Sequence, residues 1–150
     1  MKPSQIISIA IFTVSSMAKP SVPAEKSMMA AGIPQWIIEG VQRTCNTADT
    51  ECKWTFEINP VIFSKTPVHF ITKSSGSTPA SRNIGESQNF GDYTISSGWS
   101  GQFGLDKGFT TLSVIDHKNR RIAWPAYADR QIADCQVVTP NQSYASQTLP

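Results

Sequence analysis

The order of apolar and polar residues along the chain predicts a fold built from short β-strands. The clearest signal lies in 52–58, CKWTFEI, where cysteine, aromatic and aliphatic residues alternate strictly with polar ones. A period of two is typical of a strand with one buried and one solvated face. Further strands are predicted at 36–43, 68–72, 93–96, 99–103, 109–115, 121–124 and 132–138, with a Ser- and Gly-rich loop over 73–91.

Seven or eight short strands with regular turn signals indicate an all-β fold, a single compact antiparallel β-barrel or sandwich. Asn59 and Pro60 end the second strand, and 109–115 and 121–124 are expected to form a hairpin over 116–119. The sequence shows no internal repeat and no helical pattern longer than two turns. We therefore expect one β domain over 35–150.

The longest apolar segment is predicted to be a secretory signal peptide over 1–18. Lys2 precedes the nine-residue run IISIAIFTV, and the small residues that end at Ala18 fit a peptidase site, with Ala24 as a second candidate. A bilayer-spanning helix needs about 20 apolar residues, so no transmembrane anchor is expected. The protein is predicted to be secreted and extracellular, with the proline-containing segment 19–34 as a poorly ordered arm.

The charge of the secreted form is expected to be nearly balanced. The chain has 13 basic and 11 acidic residues, and removal of 1–18 takes away Lys2 alone among them. A nucleic-acid binder usually shows a basic face, whereas Lys118, Arg120 and Arg121 lie at a predicted turn, where charges are commonly solvated. We therefore expect no nucleic-acid partner.

The three cysteines predict one disulfide and a spare thiol, or an intermolecular bridge, because their number is odd in an oxidising compartment. Of the three pairings, Cys45–Cys52 is favoured because the six residues between them are polar and turn-forming. Cys135 would then be free, and we expect it to be buried as a small hydrophobic residue. Two distant histidines give no zinc-ligand spacing, so no metal site is predicted.

No common catalytic arrangement is evident, and we expect neither enzymatic activity nor a cofactor. The stretch from Gly98 to Gly101 resembles a nucleophile elbow, but its second glycine comes one place too early. His69 is predicted to be an ordinary strand residue and His117 a turn residue. The aspartates at predicted turns are interpreted as solvated: Asp92, Asp106, Asp116, Asp129 and Asp134.

Three aromatic residues in or beside predicted strands, Trp99, Trp124 and Tyr127, are candidates for a ligand or partner surface. Aromatic residues are most often part of a core, so exposure of these side chains would favour the surface interpretation. Asn141 begins the tripeptide Asn-Gln-Ser and is a candidate for N-glycosylation.

Several segments together resemble a known family of fungal proteins. They are CNTADTECKWTFEINP at 45–60, GWSGQFGLDKGFT at 98–110, WPAY at 124–127 and PNQSY at 140–144. As a set they are similar to the small secreted protein elicitors of plant-pathogenic ascomycetes, the hypersensitive-response-inducing group. The resemblance covers 41–150.

This resemblance implies a β-barrel that a fungus secretes and a host plant perceives, with local cell death and induced defence as the result. The implied partner is a component of the plant surface or apoplast, and no catalytic residue or cofactor comes with it; we expect a monomer or a weak dimer. Related sequences carry a second cysteine pair near Val68 and Phe90, which is absent here. Cys45 and Cys52 would be the retained pair, and Cys135 departs from the family.

Two other functions remain open at this point. One is a binding module for a small lipid or a cell-wall glycan, held in the mouth of a barrel or on an aromatic face. The other is a small hydrolase, which would require His69 or His117 within hydrogen-bond reach of a serine and an aspartate.

Overall fold

Two antiparallel β-sheets form the part of the chain that the computed structural model describes, residues 32–150. The predicted signal peptide and residues 19–31 of the predicted arm lie outside the described residues. The strands are β1 (Gln35–Cys45), β2 (Glu51–Asn59), β3 (Thr66–Lys73), β4 (Gly85–Phe90), β5 (Tyr93–Ser100), β6 (Phe109–Asp116), β7 (Arg121–Ala123), β8 (Ala126–Ala128), β9 (Gln142–Ala145) and β10 (Gln147–Thr148). Helical segments are limited there to α1 (Asp129–Ile132) and 3-10 turns at Ala80–Arg82, Leu105–Lys107 and Ala133–Cys135.

The strands are arranged as a sandwich. One sheet has the order β3-β2-β1-β9, and the other has the order β10-β7-β6-β5-β4, with β8 also paired to β6. The all-β antiparallel prediction is confirmed in its sandwich form, since the two sheets do not close into a barrel. The described residues contain ten strands in place of the predicted seven or eight, and the polar β4 and the short β9 and β10 were missed because they lack an apolar alternation.

The alternating residues of β2 form the centre of the first sheet, as their pattern predicts. Cys52, Trp54, Phe56 and Ile58 are all buried, while the residues between them face outward. Their neighbours across the β2–β3 pair are also inward-facing, so the sheet presents a continuous apolar face. That face packs on the second sheet.

The core between the sheets is filled with side chains from both. Trp36 meets Tyr93 edge to face with ring centroids 5.7 Å apart, and Trp54 meets Tyr127 at 6.5 Å. Burial raises the pKa of the Tyr93 hydroxyl to about 12. Within residues 32–150, the space between the two sheets is therefore filled by side chains.

Gln88 joins the outermost strands of the two sheets through its side chain. Ile71 of β3 donates its backbone N–H to Gln88 Oε1 at 3.0 Å, and Gln88 Nε2 donates to the Ile71 carbonyl at 2.6 Å. The amide thus makes the pair of bonds that a neighbouring strand would make. The prediction of a loop over 73–91 is wrong for residues 85–90, because these residues form β4.

Two other predictions about strands are wrong. β5 runs through Ser97 and Gly98 without a break, since Gly98 keeps extended geometry and pairs with Thr111. The predicted final strand at 132–138 is instead the end of α1 followed by a 3-10 turn, in which Asp134 and Cys135 have φ of 55° and 58°. The hairpin of β6 and β7 over 117–120 confirms the prediction there.

Candidate functional site

The three aromatic candidates do not share one surface. Tyr127 is 1% exposed and lies in the core beside Trp54, so the partner-surface prediction is wrong for this residue. Its position in β8, opposite Thr110 of β6, turns the side chain inward. Trp124 is 47% exposed, and Trp99 is half-buried. Trp99, unlike the exposed Trp124, is part of an organised group of side chains near the surface.

Trp99 belongs to a connected group of aromatic and charged side chains, which we call the aromatic–ionic cluster: Arg82, Trp99, Asp129, Arg43 and Trp54. The Trp99 indole Nε1 donates to Asp129 Oδ2 at 2.9 Å. The other carboxylate oxygen lies 3.6 Å from Arg43 Nη1. Arg43 lies over Trp54 at 5.6 Å from the ring centroid, and Arg82 lies over Trp99 at 5.4 Å. The cluster links both sheets through cation–π contacts and one ion pair.

The charges of the cluster are only partly hydrated. Burial lowers the pKa of the Arg43 guanidinium below its ordinary value, although the carboxylates of Asp129 and Asp49 oppose the shift. An arginine remains charged despite such a shift. Asp129 was interpreted from the sequence as a solvated turn residue, and this is wrong, because it is the counter-ion of a mostly buried arginine.

Glycines allow the loop between β5 and β6 to lie against Trp99. A Cβ at Gly101 would overlap the indole ring, and a Cβ at Gly108 would lie 2.7 Å from it. Between these two glycines, Phe103 and Leu105 are 65% and 66% exposed, and Phe103 stacks on Phe109 with centroids 6.2 Å apart. The loop thus presents two apolar side chains on a backbone that the indole holds in place. We call residues 101–108 the aromatic loop.

The disulfide supports the same end of the sandwich. Cys45 and Cys52 are paired residues of β1 and β2 and form a disulfide, as predicted. In the turn they close, Asp49 accepts hydrogen bonds from the Ser81 N–H at 2.8 Å and from the Ser81 hydroxyl. The Ser81 carbonyl in turn accepts from Arg43 Nη1 at 3.2 Å. The disulfide turn therefore positions the 3-10 turn that carries Arg82.

Cys135 is exposed, which contradicts the expectation that it is buried. The left-handed backbone at Asp134 and Cys135 turns this segment away from the core, and the Cys135 carbonyl is bonded to Gln42 Nε2 instead. Within residues 32–150, three potential metal ligands meet only at Cys45, Asp49 and Cys52. Two of them are the sulfurs of the disulfide, so this group does not fit a metal ion.

The two histidines lie apart from each other and from the aromatic–ionic cluster. His117 Nε2 is 2.6 Å from the Thr94 hydroxyl on the surface of the second sheet. His69 is exposed on β3. Asp116, the carboxylate nearest to His117 in sequence, is buried and caps its own turn by accepting from the Asn119 backbone N–H and side-chain amide.

Asn141 is exposed at the start of β9. Its Oδ1 accepts the Gly40 backbone N–H at 2.9 Å, which orients the side chain beside the bulge in β1. Glycosylation at this position stays a prediction. Among the described residues no helix has the length and apolarity to cross a bilayer.

The fold and these features define a class of protein: a small all-β sandwich with one short-range disulfide, which presents aromatic and apolar side chains on a supported loop. The family model for Effector TSP1 matches residues 37–149, nearly all of the described fold. The chain is also 43% identical over 140 residues to a protein named Effector TSP1 from Hypocrea virens (strain Gv29-8 / FGSC 10586), and the match covers 93% of each chain. The protein therefore belongs to the Effector TSP1 family, and the predicted relationship to small fungal effectors is confirmed.

Sequence reasoning missed two features of the surface. One is Asp129, whose role depends on a residue 86 positions earlier in the chain, Arg43. The other is the loop after β2, where Val61, Ile62 and Phe63 are exposed. Three consecutive apolar residues directly after Pro60 were a visible signal for the second feature, because proline disfavours continuation of the β2 strand.

Proposed function

We propose that the protein is secreted and acts as an elicitor: a host plant recognises the folded molecule and responds with local cell death and induced defence. The observation that carries this proposal is the match to an effector family across residues 37–149. A signal-type N-terminus and a disulfide, which requires an oxidising compartment, support export from the cell. The partner would be a component of the plant surface or apoplast.

The aromatic loop is the surface we propose for recognition. Phe103 and Leu105 project from a segment fixed at both ends against Trp99, and Arg82 lies over the same indole. Aromatic side chains and arginine are enriched at protein interfaces, and the loop presents Phe103 and Leu105 beside Arg82. Preorganisation by the aromatic–ionic cluster would reduce the entropy lost on binding.

Infiltration of leaves with purified protein lacking 1–18 tests this proposal. We expect wild type to cause cell death and the double variant Phe103→Ser/Leu105→Ser to lose most of the response while it keeps the circular dichroism spectrum and melting temperature of wild type. Ile33→Ser removes another exposed apolar side chain, 46% exposed, and is the matched control that should retain activity. No response to correctly folded wild type would overturn the elicitor proposal, and an unchanged response to the double variant would overturn the choice of surface.

We further propose that the protein acts by being bound and not by catalysis, as a monomer or weak dimer without nucleic acid as a partner. His117 contacts a threonine and His69 is exposed on a strand, which supports a non-catalytic role for both. We expect the His69→Ala and His117→Ala variants to elicit the same response as wild type in leaves. Loss of the response in either variant, with the fold intact, would contradict this proposal.

A further inference from the structure

A cavity with an excess of positive charge lies beside the aromatic loop. It has a volume of about 280 Å³ and is lined by Asp106, Lys107, Gly108, Ala128 and Arg130. The first three of these residues are part of the aromatic loop itself. A Cβ at Gly108 would lie 2.7 Å from the Trp99 indole, so the cavity and the exposed side chains of Phe103 and Leu105 share one supported segment.

The backbone around the cavity is fixed by hydrogen bonding. The Asp129 backbone N–H donates to the Gly108 carbonyl at 2.9 Å, which continues the antiparallel β6–β8 pair beyond its last strand residues. Lys107 directly precedes one of these two bonded residues, and Arg130 directly follows the other. The two cations of the lining therefore extend from backbone whose separation is set by strand pairing.

The positive charges on this surface have no ion partner within residues 32–150. Lys107 and Arg130 are exposed, and neither takes part in a salt bridge there. Arg82, which lies over the Trp99 ring at 5.4 Å from its centroid, is also exposed and without a salt bridge in this part of the chain. Three cations can therefore pair with an anionic ligand.

Negative charge beside the cavity is smaller in amount. Among the five lining residues Asp106 alone is acidic, and a Cβ at Gly104 would lie 2.9 Å from its Oδ1, so this carboxylate lies over the backbone of its own loop. Asp129 lies next to Gly108, but it is the counter-ion of Arg43. The lining thus has two cations against one carboxylate.

The chemistry of the lining favours an acidic peptide over a glycan. None of the five lining residues has a hydroxyl or a side-chain amide with which to bind sugar hydroxyls. An ammonium and a guanidinium donate hydrogen bonds and accept none, which suits carboxylates. The cavity volume of about 280 Å³ lies just below the range of about 300–1,000 Å³ typical of small-molecule sites. It therefore suits acidic side chains of a longer chain that continues over Phe103 and Leu105.

We propose that the aromatic loop and this cavity bind an acidic peptide segment of a partner protein. One or two Asp or Glu side chains would enter the cavity and accept hydrogen bonds from Lys107 and Arg130, while a neighbouring apolar side chain contacts Phe103 and Leu105. Recognition of acidic motifs by basic side chains is a recurrent mode of peptide binding. This inference rests on the aromatic loop as the recognition surface proposed above and adds the chemistry of its partner.

Fluorescence anisotropy with labelled polymers and purified protein lacking 1–18 tests this inference. The probes are a random copolymer of glutamate and tyrosine, polyglutamate, and a random copolymer of lysine and tyrosine. We expect wild type to bind the glutamate–tyrosine copolymer most tightly, polyglutamate more weakly and the lysine–tyrosine copolymer not measurably. Binding to the lysine–tyrosine copolymer as tight as to the glutamate–tyrosine copolymer would overturn the inference.

Three variants assign the binding to the cavity and the loop. Lys107→Gln/Arg130→Gln should bind the glutamate–tyrosine copolymer about ten-fold more weakly, since one exposed ion pair contributes up to a factor of about five. Phe103→Ser/Leu105→Ser should bind this copolymer no more tightly than wild type binds polyglutamate. Asp106→Asn removes the opposing charge and should bind about two-fold more tightly, an increase that unfolding could not produce.

Lys53→Gln/Lys118→Gln is the matched control. It also removes two exposed cations that make no salt bridge within residues 32–150, but these lie on β2 and in the β6–β7 turn. It should bind as wild type does. Equal losses in the two charge variants would overturn the site, because binding would then depend only on the net charge of the protein.

The polymer assay contains no plant component, so its result is independent of the leaf response. Wild type that binds neither glutamate polymer would overturn the acidic partner and leave the elicitor proposal intact. Binding to polygalacturonate in place of the glutamate–tyrosine copolymer would indicate an anionic glycan and overturn the peptide assignment. Binding to the copolymer without a leaf response would overturn the elicitor proposal and support the ligand chemistry of the surface.

Discussion

Replacement of Asp129 by alanine tests whether the aromatic–ionic cluster stabilises the fold. The substitution removes the acceptor of the Trp99 N–H and leaves the Arg43 guanidinium without its counter-ion. A hydrogen bond to a charged group contributes about 1.5–3 kcal/mol. The ion pair adds less than a fully buried one would, because its side chains are 11% and 27% exposed and 3.6 Å apart. We expect a total loss of about 2–3 kcal/mol in the free energy of unfolding.

A loss of this size lowers the melting temperature by about 8–12 °C for a domain of this length. Thermal unfolding followed by circular dichroism, with urea titration as a second measure, gives both quantities. Asp129→Asn keeps an acceptor for the indole N–H but not the charge, so the decrease in its free energy of unfolding should be about half that of Asp129→Ala. Trp99→Phe should cost less in the alanine background than in wild type, since its hydrogen bond to residue 129 is already absent there.

Asp106→Ala is the matched control, because Asp106 is exposed in a nearby 3-10 turn and should change stability by less than about 0.5 kcal/mol. A loss below about 0.5 kcal/mol for Asp129→Ala would refute the argument that the cluster stabilises the structure. Additive losses for Trp99→Phe and Asp129→Ala would refute the specific claim that the two side chains act through one hydrogen bond.

Four further outcomes are expected. Cys45→Ser/Cys52→Ser should lose about 2–3 kcal/mol, since the disulfide closes a short loop, and Cys135→Ser should be nearly neutral. Thiol titration of the unfolded wild type should find one free thiol, and three would contradict the disulfide. Hydrogen bonds from Lys65 and Asn59 lower the Glu39 pKa below its ordinary 4.5, and Glu39 raises the Lys65 pKa above 10.5. The decrease in the free energy of unfolding caused by Lys65→Met should therefore be greatest between pH 4.5 and pH 10.5, where both groups are charged. The decrease should become smaller as the pH falls below 4.5 through the lowered Glu39 pKa. A pH-independent difference in urea titrations would exclude the pair as its source.

The sequence predicted those strands whose pattern reflects a buried and a solvated face. β2 alternates cleanly, and both β2 and β6 are found within one or two residues of their predicted bounds. β4 could not be predicted in this way, because its six residues GESQNF are mostly polar and it is placed by pairing with β5. In the segment 132–138 the sequence predicted a strand that the structure does not contain. The apolar residues at its ends, Ile132 and Val138, suggested a strand, but residues with left-handed φ between them interrupt the extended backbone.

The candidate site was less predictable because it depends on contacts between distant residues. The glycines around Trp99 were visible as a distinctive segment, but their purpose, to admit the indole ring, requires three dimensions. Trp124 and Tyr127 lie three residues apart in the sequence and have opposite environments, since Trp124 lies exposed between β7 and β8, whereas Tyr127 lies in β8 and faces the core. A segment of three residues is too short for its periodicity to show which of the two side chains is buried.

The side-chain amide of Gln88 has a consequence for solubility. β3 and β4 are the last strands of their sheets, and the unpaired backbone groups of such a strand are a template on which a second molecule can add its own strand. Gln88 occupies the N–H and carbonyl of Ile71, and Asn83 Nδ2 occupies the Lys73 carbonyl at 2.7 Å. Two amide side chains thus occupy backbone groups of β3 to which a strand of a second molecule could otherwise bind. We therefore expect these two amides to oppose strand addition and aggregation along this edge, although neither contributes to the core.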